Sequence, residues 1–200
     1  MIKNILLLED RPGRQAQFLS KEQIHHLNNL DYLFIPKELE CTDWLHDINS
    51  NDLHNLIKYD LVIIHKSSLK PTGLNNLREI CKEKKIDLIF FSGGLNQIVF
   101  QTLEFQFLSI NSSVLYTDRL IEFLKNYAIG TTNRLLELVY GQQWKLEVLL
   151  RYRQLQTRYE AELNDEVKFE LEDELSILGQ TVPTEIENLE NEIEKIFVSI

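Results

Sequence analysis

The sequence predicts an α/β protein with a parallel sheet and a C-terminal helical extension, and three observations support this fold class. Short apolar runs typical of buried strands recur along the first part of the chain, separated by segments that suit crossover helices. After Gly130 the apolar residues recur at helical spacing instead. The length of 200 residues, with 44% of them apolar, suits one α/β domain with an appendage.

The order of the predicted elements defines the first domain. The strand candidates are 2–8, 32–35, 60–64, 87–91 and 106–110. The helix candidates are 14–29, 42–58, 74–85, 95–103 and 120–127. Right-handed crossovers place such helices on both faces of a sheet, which predicts a flavodoxin-like domain over residues 1–128 with five parallel strands in the order 2-1-3-4-5. Aromatic and β-branched residues make 96–105 and 111–116 compatible with strand as well.

Two adjacent carboxylates follow the first strand. The run from Ile5 to Leu8 does not alternate with polar residues, as is typical of a strand covered on both faces. Open α/β sheets bind ligands at the carboxyl ends of their strands, so the candidate site lies at Glu9 and Asp10. Paired carboxylates can hold magnesium, or they can be solvated or cap the following helix.

This segment resembles the first strand and acidic pair of the receiver domain of two-component response regulators. In that family the paired acids hold magnesium beside a phosphoaccepting Asp. The run Tyr59 to Ile64 resembles the third receiver strand, but His65 stands at the position of the acceptor. The run Asp87 to Phe91 ends in Ser92, which matches the family's phosphoryl-contacting Ser or Thr.

The likeness fails again at the fifth strand, where Asn111 follows in place of the family's Lys. The resemblance covers roughly the first 125 residues. It implies a degenerate, pseudo-receiver domain that has lost phosphorylation chemistry. Its vestigial phosphorylation pocket would consist of Glu9, Asp10, His65, Ser92 and Asn111.

His65 leaves several chemical interpretations open. An imidazole can accept a phosphoryl group, act as a general base or bind a transition metal. With Glu9 and Asp10 it would form a ligand set suited to iron, manganese or zinc. Alternatively, it pairs with the two acids and stabilises a fixed conformation. No catalytic residue and no cofactor are predicted, apart from the magnesium ion that Glu9 and Asp10 alone can hold.

Residues 129–200 form the predicted helical extension. Leucines recur up to Leu163 as one long helix or two collinear ones, with Gly141 as the only strong interruption. An acidic helix is predicted from Asp165 to Leu178, ended by Gly179. Thr184 and Glu187 form a capping-box pattern before a last helix.

The apolar faces of this extension need a partner surface. They pack within the chain, or they bind a second copy or a partner protein. The residues predicted to bind a partner are Leu146, Leu149, Ile193 and Phe197.

Charge limits the classes of partner. The formal net charge is −10, and between Glu160 and Glu194 thirteen acidic residues accompany one base, Lys168. Such a chain is repelled by nucleic acids and anionic membranes. The basic and aromatic residues between Trp144 and Tyr159, with Arg151 and Arg153 among them, leave nucleic-acid binding as a weaker alternative.

Location is predicted to be cytoplasmic. No apolar stretch is long enough to span a bilayer. Cys41 and Cys81 lack metal-ligand spacing and are expected to be structural thiols.

Together these features predict a non-catalytic regulatory or interaction protein with a receiver-like domain independent of phosphorylation. The alternative is a metal-dependent phosphosensor or enzyme that uses Glu9, Asp10 and His65. A nucleic-acid-binding accessory subunit is the weaker alternative. The sequence does not identify the partner.

Overall fold

The computed structural model describes residues 2–96, 98–101, 105–132 and 134–181. The chain divides into two compact units, Met1–Val139 and Tyr140–Ile200. This boundary lies later in the chain than the one predicted between residues 128 and 129.

A six-stranded sheet forms the centre of the first unit, in the order β2-β1-β3-β4-β6-β5. Neighbouring strands are parallel except β5, which runs antiparallel to β6 at the edge. The α/β class with a mostly parallel sheet is therefore confirmed, whereas the strand order differs from the predicted 2-1-3-4-5. The strands are β1 (Ile5–Leu8), β2 (Leu33–Phe34), β3 (Leu61–His65), β4 (Asp87–Ser92), β5 (Val99–Gln101) and β6 (Phe107–Asn111).

Strand β5 accounts for the difference in order, because a crossover helix was predicted over 95–103. That prediction is wrong for the described residues of this segment. Val99 and Phe100 favour strand, and Phe100 is buried opposite Leu108 of β6. The segment was predicted as a helix from its length between two strands, and pairing with β6 decides its conformation instead.

The helices of the first unit begin and end at recognisable local signals. The predicted helix 14–29 is two elements, a 3-10 helix at Pro12–Gln17 and then α1 (Lys21–Asn28), because Ser20 and Gln23 form a capping box that starts α1. The predicted helix 42–58 is also divided. Helix α2 (Glu38–Asn49) precedes Asn51, whose φ is 65°, and a 3-10 helix follows at His54–Lys58.

Three further α-helices of this unit precede its C-terminal boundary region, and a 3-10 helix lies at Lys66–Ser68. The three α-helices are α3 (Pro71–Lys84), α4 (Ser112–Leu115) and α5 (Arg119–Ile129). The alternative of strand at 111–116 is wrong, because Asn111 ends β6 and its side chain accepts a hydrogen bond from the Ser113 amide, which caps α4. Gly130 ends α5 with a φ of 79°.

The core lies on both faces of the sheet. Residues Ile5 to Leu8 are all buried, and alternate side chains of a strand point to opposite faces. Leu6 and Leu8 belong to a cluster with Ile48 of α2 and Leu77 of α3. Both cysteines are buried in this cluster as free thiols. The strands are thus held rigidly, which fixes the residues that follow their carboxyl ends.

The chain near and after the boundary between the units forms several helices, not the single long helix that was one prediction. Helix α6 (Leu136–Tyr140) is followed by a 3-10 helix at Gly141–Gln143 and by α7 (Trp144–Ala161). Gly141 has a φ of 70°, a conformation that suits glycine and interrupts the helix. Helix α8 (Asp165–Thr181) continues past Gly179, so the predicted end at Gly179 is wrong.

Helices α7 and α8 contact each other within the second unit. The Lys168 Nζ lies 5.1 Å from the centroid of the Tyr159 ring. The predicted capping box at Thr184, the last helix, Ile193 and Phe197 lie outside the described residues. Within the described ranges, no helix is long and apolar enough to cross a membrane.

Candidate functional site

Three predicted site residues meet at the carboxyl edge of the sheet. Glu9 and Asp10 directly follow β1, and His65 is the last residue of the neighbouring parallel strand β3. One potential ligand atom from each residue lies within 4.8 Å of the others. The structure therefore brings together the three side chains that the sequence placed at this edge.

Arg14 binds both carboxylates of this cluster. The guanidinium Nη1 donates to Glu9 Oε1 at 2.8 Å and lies 3.4 Å from Asp10 Oδ1. The 3-10 helix that follows β1 carries Arg14 back over the acids. The side chains of Arg14 and Glu9 are only 12% and 2% exposed, so their ion pair is shielded from solvent.

Both oxygens of Glu9 receive hydrogen bonds. The Arg11 amide donates to Oε1 at 3.1 Å, and the Tyr116 hydroxyl donates to Oε2 at 2.9 Å. Burial nevertheless raises the pKa of Glu9 to about 7, against the lowering effects of these donors and of Arg14. Glu9 therefore holds a proton more readily than an exposed carboxyl group does.

Asp10 carries the more persistent negative charge of the pair. Burial raises its pKa, but a hydrogen bond with Glu9 and the interaction with His65 together lower the pKa below its usual value. The His65 Nδ1 lies 3.0 Å from Asp10 Oδ1. It also lies 3.1 Å from the Ser68 hydroxyl.

His65 is held in its neutral form at neutral pH. Burial lowers its pKa, Asp10 opposes that shift, and the charges of Arg14 and Arg11 lower the pKa further. Because an ionised carboxylate can only accept hydrogen bonds, we assign the ring proton to Nδ1, facing Asp10. The imidazole is thereby fixed as a hydrogen-bond donor to the acid.

Ser92 and Asn111 lie at the same edge but contact residues outside the acidic cluster. The Ser92 hydroxyl lies 3.1 Å from the Ser67 hydroxyl. The Asn111 Nδ2 donates to the carbonyl oxygens of Gly93 at 3.0 Å and Leu95 at 2.9 Å. Asn111 therefore fixes the loop after β4.

The donors around Glu9 determine what the site can bind. A cation held by Glu9, Asp10 and His65 would have to displace Arg14 and compete with a proton on Glu9. The residues present therefore fit a metal ion poorly while Arg14 remains in place.

Sequence reasoning missed two residues of this site, Arg14 and Tyr116. Arg14 is four residues after Asp10, a spacing that allows contact on a helical turn, and this was the one local signal. Tyr116 is 107 residues from Glu9 along the chain, and no local pattern relates them.

The predicted partner-binding residues on α7 differ in exposure. Leu146 is 39% exposed, whereas Leu149 is only 7% exposed, and the partner-binding role of both stays a prediction. Leu150 is 48% exposed and is the better candidate. Trp144 is buried, which removes its indole from the proposed stacking on nucleic-acid bases.

Comparisons with protein families, with curated proteins and with solved structures found no match to this chain.

Proposed function

We propose that this chain is a non-catalytic regulatory or interaction protein with a receiver-like domain that works without phosphorylation. In this proposal the pocket at the sheet edge is a fixed polar cluster, and the helical extension forms the binding surface. The observation that carries the proposal is the position of Arg14 over both carboxylates.

Arg14 supports the proposal because its guanidinium supplies the positive charge that a metal ion would otherwise bring. Its single positive charge offsets one of the two carboxylate charges from within the chain, and a proton on Glu9 can offset the other. The raised pKa of Glu9 also weakens it as a metal ligand near neutral pH, because a metal ligand must lose its proton.

The surrounding residues support the same conclusion. In the resemblance to a receiver, His65 stands in place of the acceptor, and its Nδ1 lies 3.0 Å from Asp10 Oδ1. The Asn111 side-chain amide donates its hydrogen bonds to two carbonyl oxygens of the loop after β4 rather than to a ligand. Each group that would handle a phosphoryl group in a receiver is absent or engaged.

The proposal is tested by amide NMR titration of the full chain with magnesium, followed by beryllofluoride, which mimics a phosphorylated carboxylate. We expect no saturable shifts at the amides of Asp10, Arg11 and Lys66. Intact mass after incubation with acetyl phosphate should show no added phosphoryl group. Saturable magnesium shifts followed by a beryllofluoride response would contradict the proposal.

A metal-dependent phosphosensor or enzyme is the second candidate, favoured by the convergence of Glu9, Asp10 and His65 within 4.8 Å. It predicts binding of manganese or zinc that disappears in Asp10→Asn. Calorimetry on the wild type and this variant measures that difference. Ser67→Ala, which leaves all three ligands intact, is the matched control.

The binding role of the extension is tested through self-association. Leu146 and Leu150 are four residues apart on α7, so they share one helix face. We expect Leu146→Glu with Leu150→Glu to reduce the molar mass measured by light scattering. Leu163→Glu, at a loop residue that is 96% exposed, should leave the mass unchanged. A wild type that is monomeric at all concentrations would contradict self-association.

A further inference from the structure

An open cleft lies at the amino-terminal edge of the sheet, opposite the edge that carries Glu9 and Asp10. Its volume is about 430 Å³, which is within the range of small-molecule sites. Asn4 and Ile5 line it at the start of β1. The segment from Asp31 to Phe34, the side of α2, and the residues just before β3 complete its walls.

Aromatic rings dominate the walls of this cleft. Tyr32, Phe34, Trp44 and Tyr59 all line it. The centroids of the Trp44 and Tyr59 rings are 6.0 Å apart, with an angle of 66° between the ring planes. The two rings thus meet edge to face, and the corner between them is open to a cation that approaches both.

A cation from the chain itself already lies at this corner. The Lys58 Nζ is 5.5 Å from the centroid of Trp44 and 5.3 Å from that of Tyr59. Both distances are within the range of cation–π attraction. Lys58 is exposed, so its ammonium can leave the rings for solvent without moving the backbone.

The charges along the cleft also favour a cation. Asp31 and Glu40 line it, against Lys58 as the single basic residue of the lining. Neither acid forms a salt bridge with another described residue. Glu40 lies close enough to Tyr59 to add to the effect of burial, and together they raise the pKa of that phenol to about 12.

We propose that this cleft binds a small quaternary ammonium compound, with the methylated cation against Trp44 and Tyr59 in the position that Lys58 Nζ occupies. Aromatic walls suit a cation that has no N–H groups to satisfy and little hydration to lose. Asp31 and Glu40 supply the opposite charge. The site is independent of the function proposed above.

The first experiment is a calorimetric and NMR titration of the full chain with tetramethylammonium and with choline. We expect saturable binding of both and a shift of the Trp44 indole resonance. The neutral isostere 3,3-dimethylbutanol should not bind, because it has the shape of choline without the charge. Glycine betaine should bind more weakly than choline, because its carboxylate faces Asp31 and Glu40.

Variants separate the effect of Lys58 on cation binding from the effects of Glu40 and Trp44. Lys58→Met removes the internal competitor, so tetramethylammonium should bind about fivefold more tightly. Lys58→Arg keeps the competing charge, and Lys21→Met changes a lysine on α1; both should match the wild type. Glu40→Gln should weaken binding, and Trp44→Leu should abolish it.

Three results would overturn the proposal. They are no binding by either the wild type or Lys58→Met, equal binding of the neutral isostere, and unchanged affinity in Glu40→Gln. A peptide carrying trimethyl-lysine distinguishes the source of the cation. Binding of that peptide without binding of choline would contradict a small-molecule ligand.

Discussion

Replacing Arg14 by Met tests whether the guanidinium stabilises the acidic pair. The change keeps an unbranched side chain of similar length but removes the donor 2.8 Å from Glu9 and 3.4 Å from Asp10. A hydrogen bond between charged groups contributes about 1.5–3 kcal/mol. Loss of one partner from a buried ion pair can cost more, but Glu9 can take up a proton because its pKa is already about 7.

We therefore expect Arg14→Met to lower the free energy of unfolding by about 2 kcal/mol at neutral pH. For a chain of 200 residues this corresponds to a fall in Tm of about 4–8 °C. The assay is urea unfolding followed by circular dichroism over a pH series. The loss should grow as the pH rises through about 7, where Glu9 ionises in the wild type, and should shrink toward pH 4.5.

Arg11→Met is the matched control for this experiment. Arg11 is 77% exposed, and its Nε lies 3.8 Å from Asp10, so its ion pair contributes little. Equal stability of Arg14→Met and the wild type above neutral pH would refute the reasoning, as would an equal loss in Arg11→Met. Arg14→Met should also gain saturable magnesium shifts at the amide of Asp10, because the competing cation is gone.

Three further changes test separate contacts. Glu9→Gln removes a group whose pKa in the folded protein, about 7, exceeds its usual 4.5, so the stabilisation from its proton is complete below pH 4.5 and lost by about pH 7. The stability advantage of the wild type over the variant should therefore fall by at most about 3 kcal/mol across that interval. A pH-independent difference in urea unfolding would contradict this. Tyr116→Phe removes the 2.9 Å hydrogen bond to Glu9 and should cost about 1–2 kcal/mol, whereas unchanged stability would show that the bond contributes nothing. Gly73→Ala places a Cβ 3.2 Å from Asn49 Cα and closer still to the Asn49 side chain, and should lower the free energy of unfolding by about 1–3 kcal/mol. Gly94→Ala is the control, because its Cβ would have nothing within 4 Å, and its stability should match that of the wild type.

The central strands could be predicted because their side chains are buried on both faces. The runs at β1, β3 and β4 are apolar without alternation, and this pattern marks a covered parallel strand from local sequence alone. Strand β5 was predicted only as an alternative to a helix, within 96–105. It spans three of the described residues, and its conformation depends on pairing with β6, which the local sequence does not show.

The candidate site was predictable to the same extent as the strands that carry it. Glu9, Asp10 and His65 follow from strand ends in one parallel sheet. The contact made by Arg14 depends on a 3-10 helix that turns back over β1, and Tyr116 reaches Glu9 only through the tertiary fold. The sequence alone therefore could not predict the charges and pKa shifts of this cluster.

The lengths of the outer strands have a consequence for how this protein behaves when concentrated. The outer strands β2 and β5 span two and three of the residues that the structure describes, so these segments offer a short row of backbone groups to another chain. Aggregation through sheet extension needs a longer unpaired edge than this. The apolar strands β1, β3 and β4 lie inside the sheet, with β1 pairing β2 over two residues, so most of their backbone groups are bonded within the chain rather than open to intermolecular pairing.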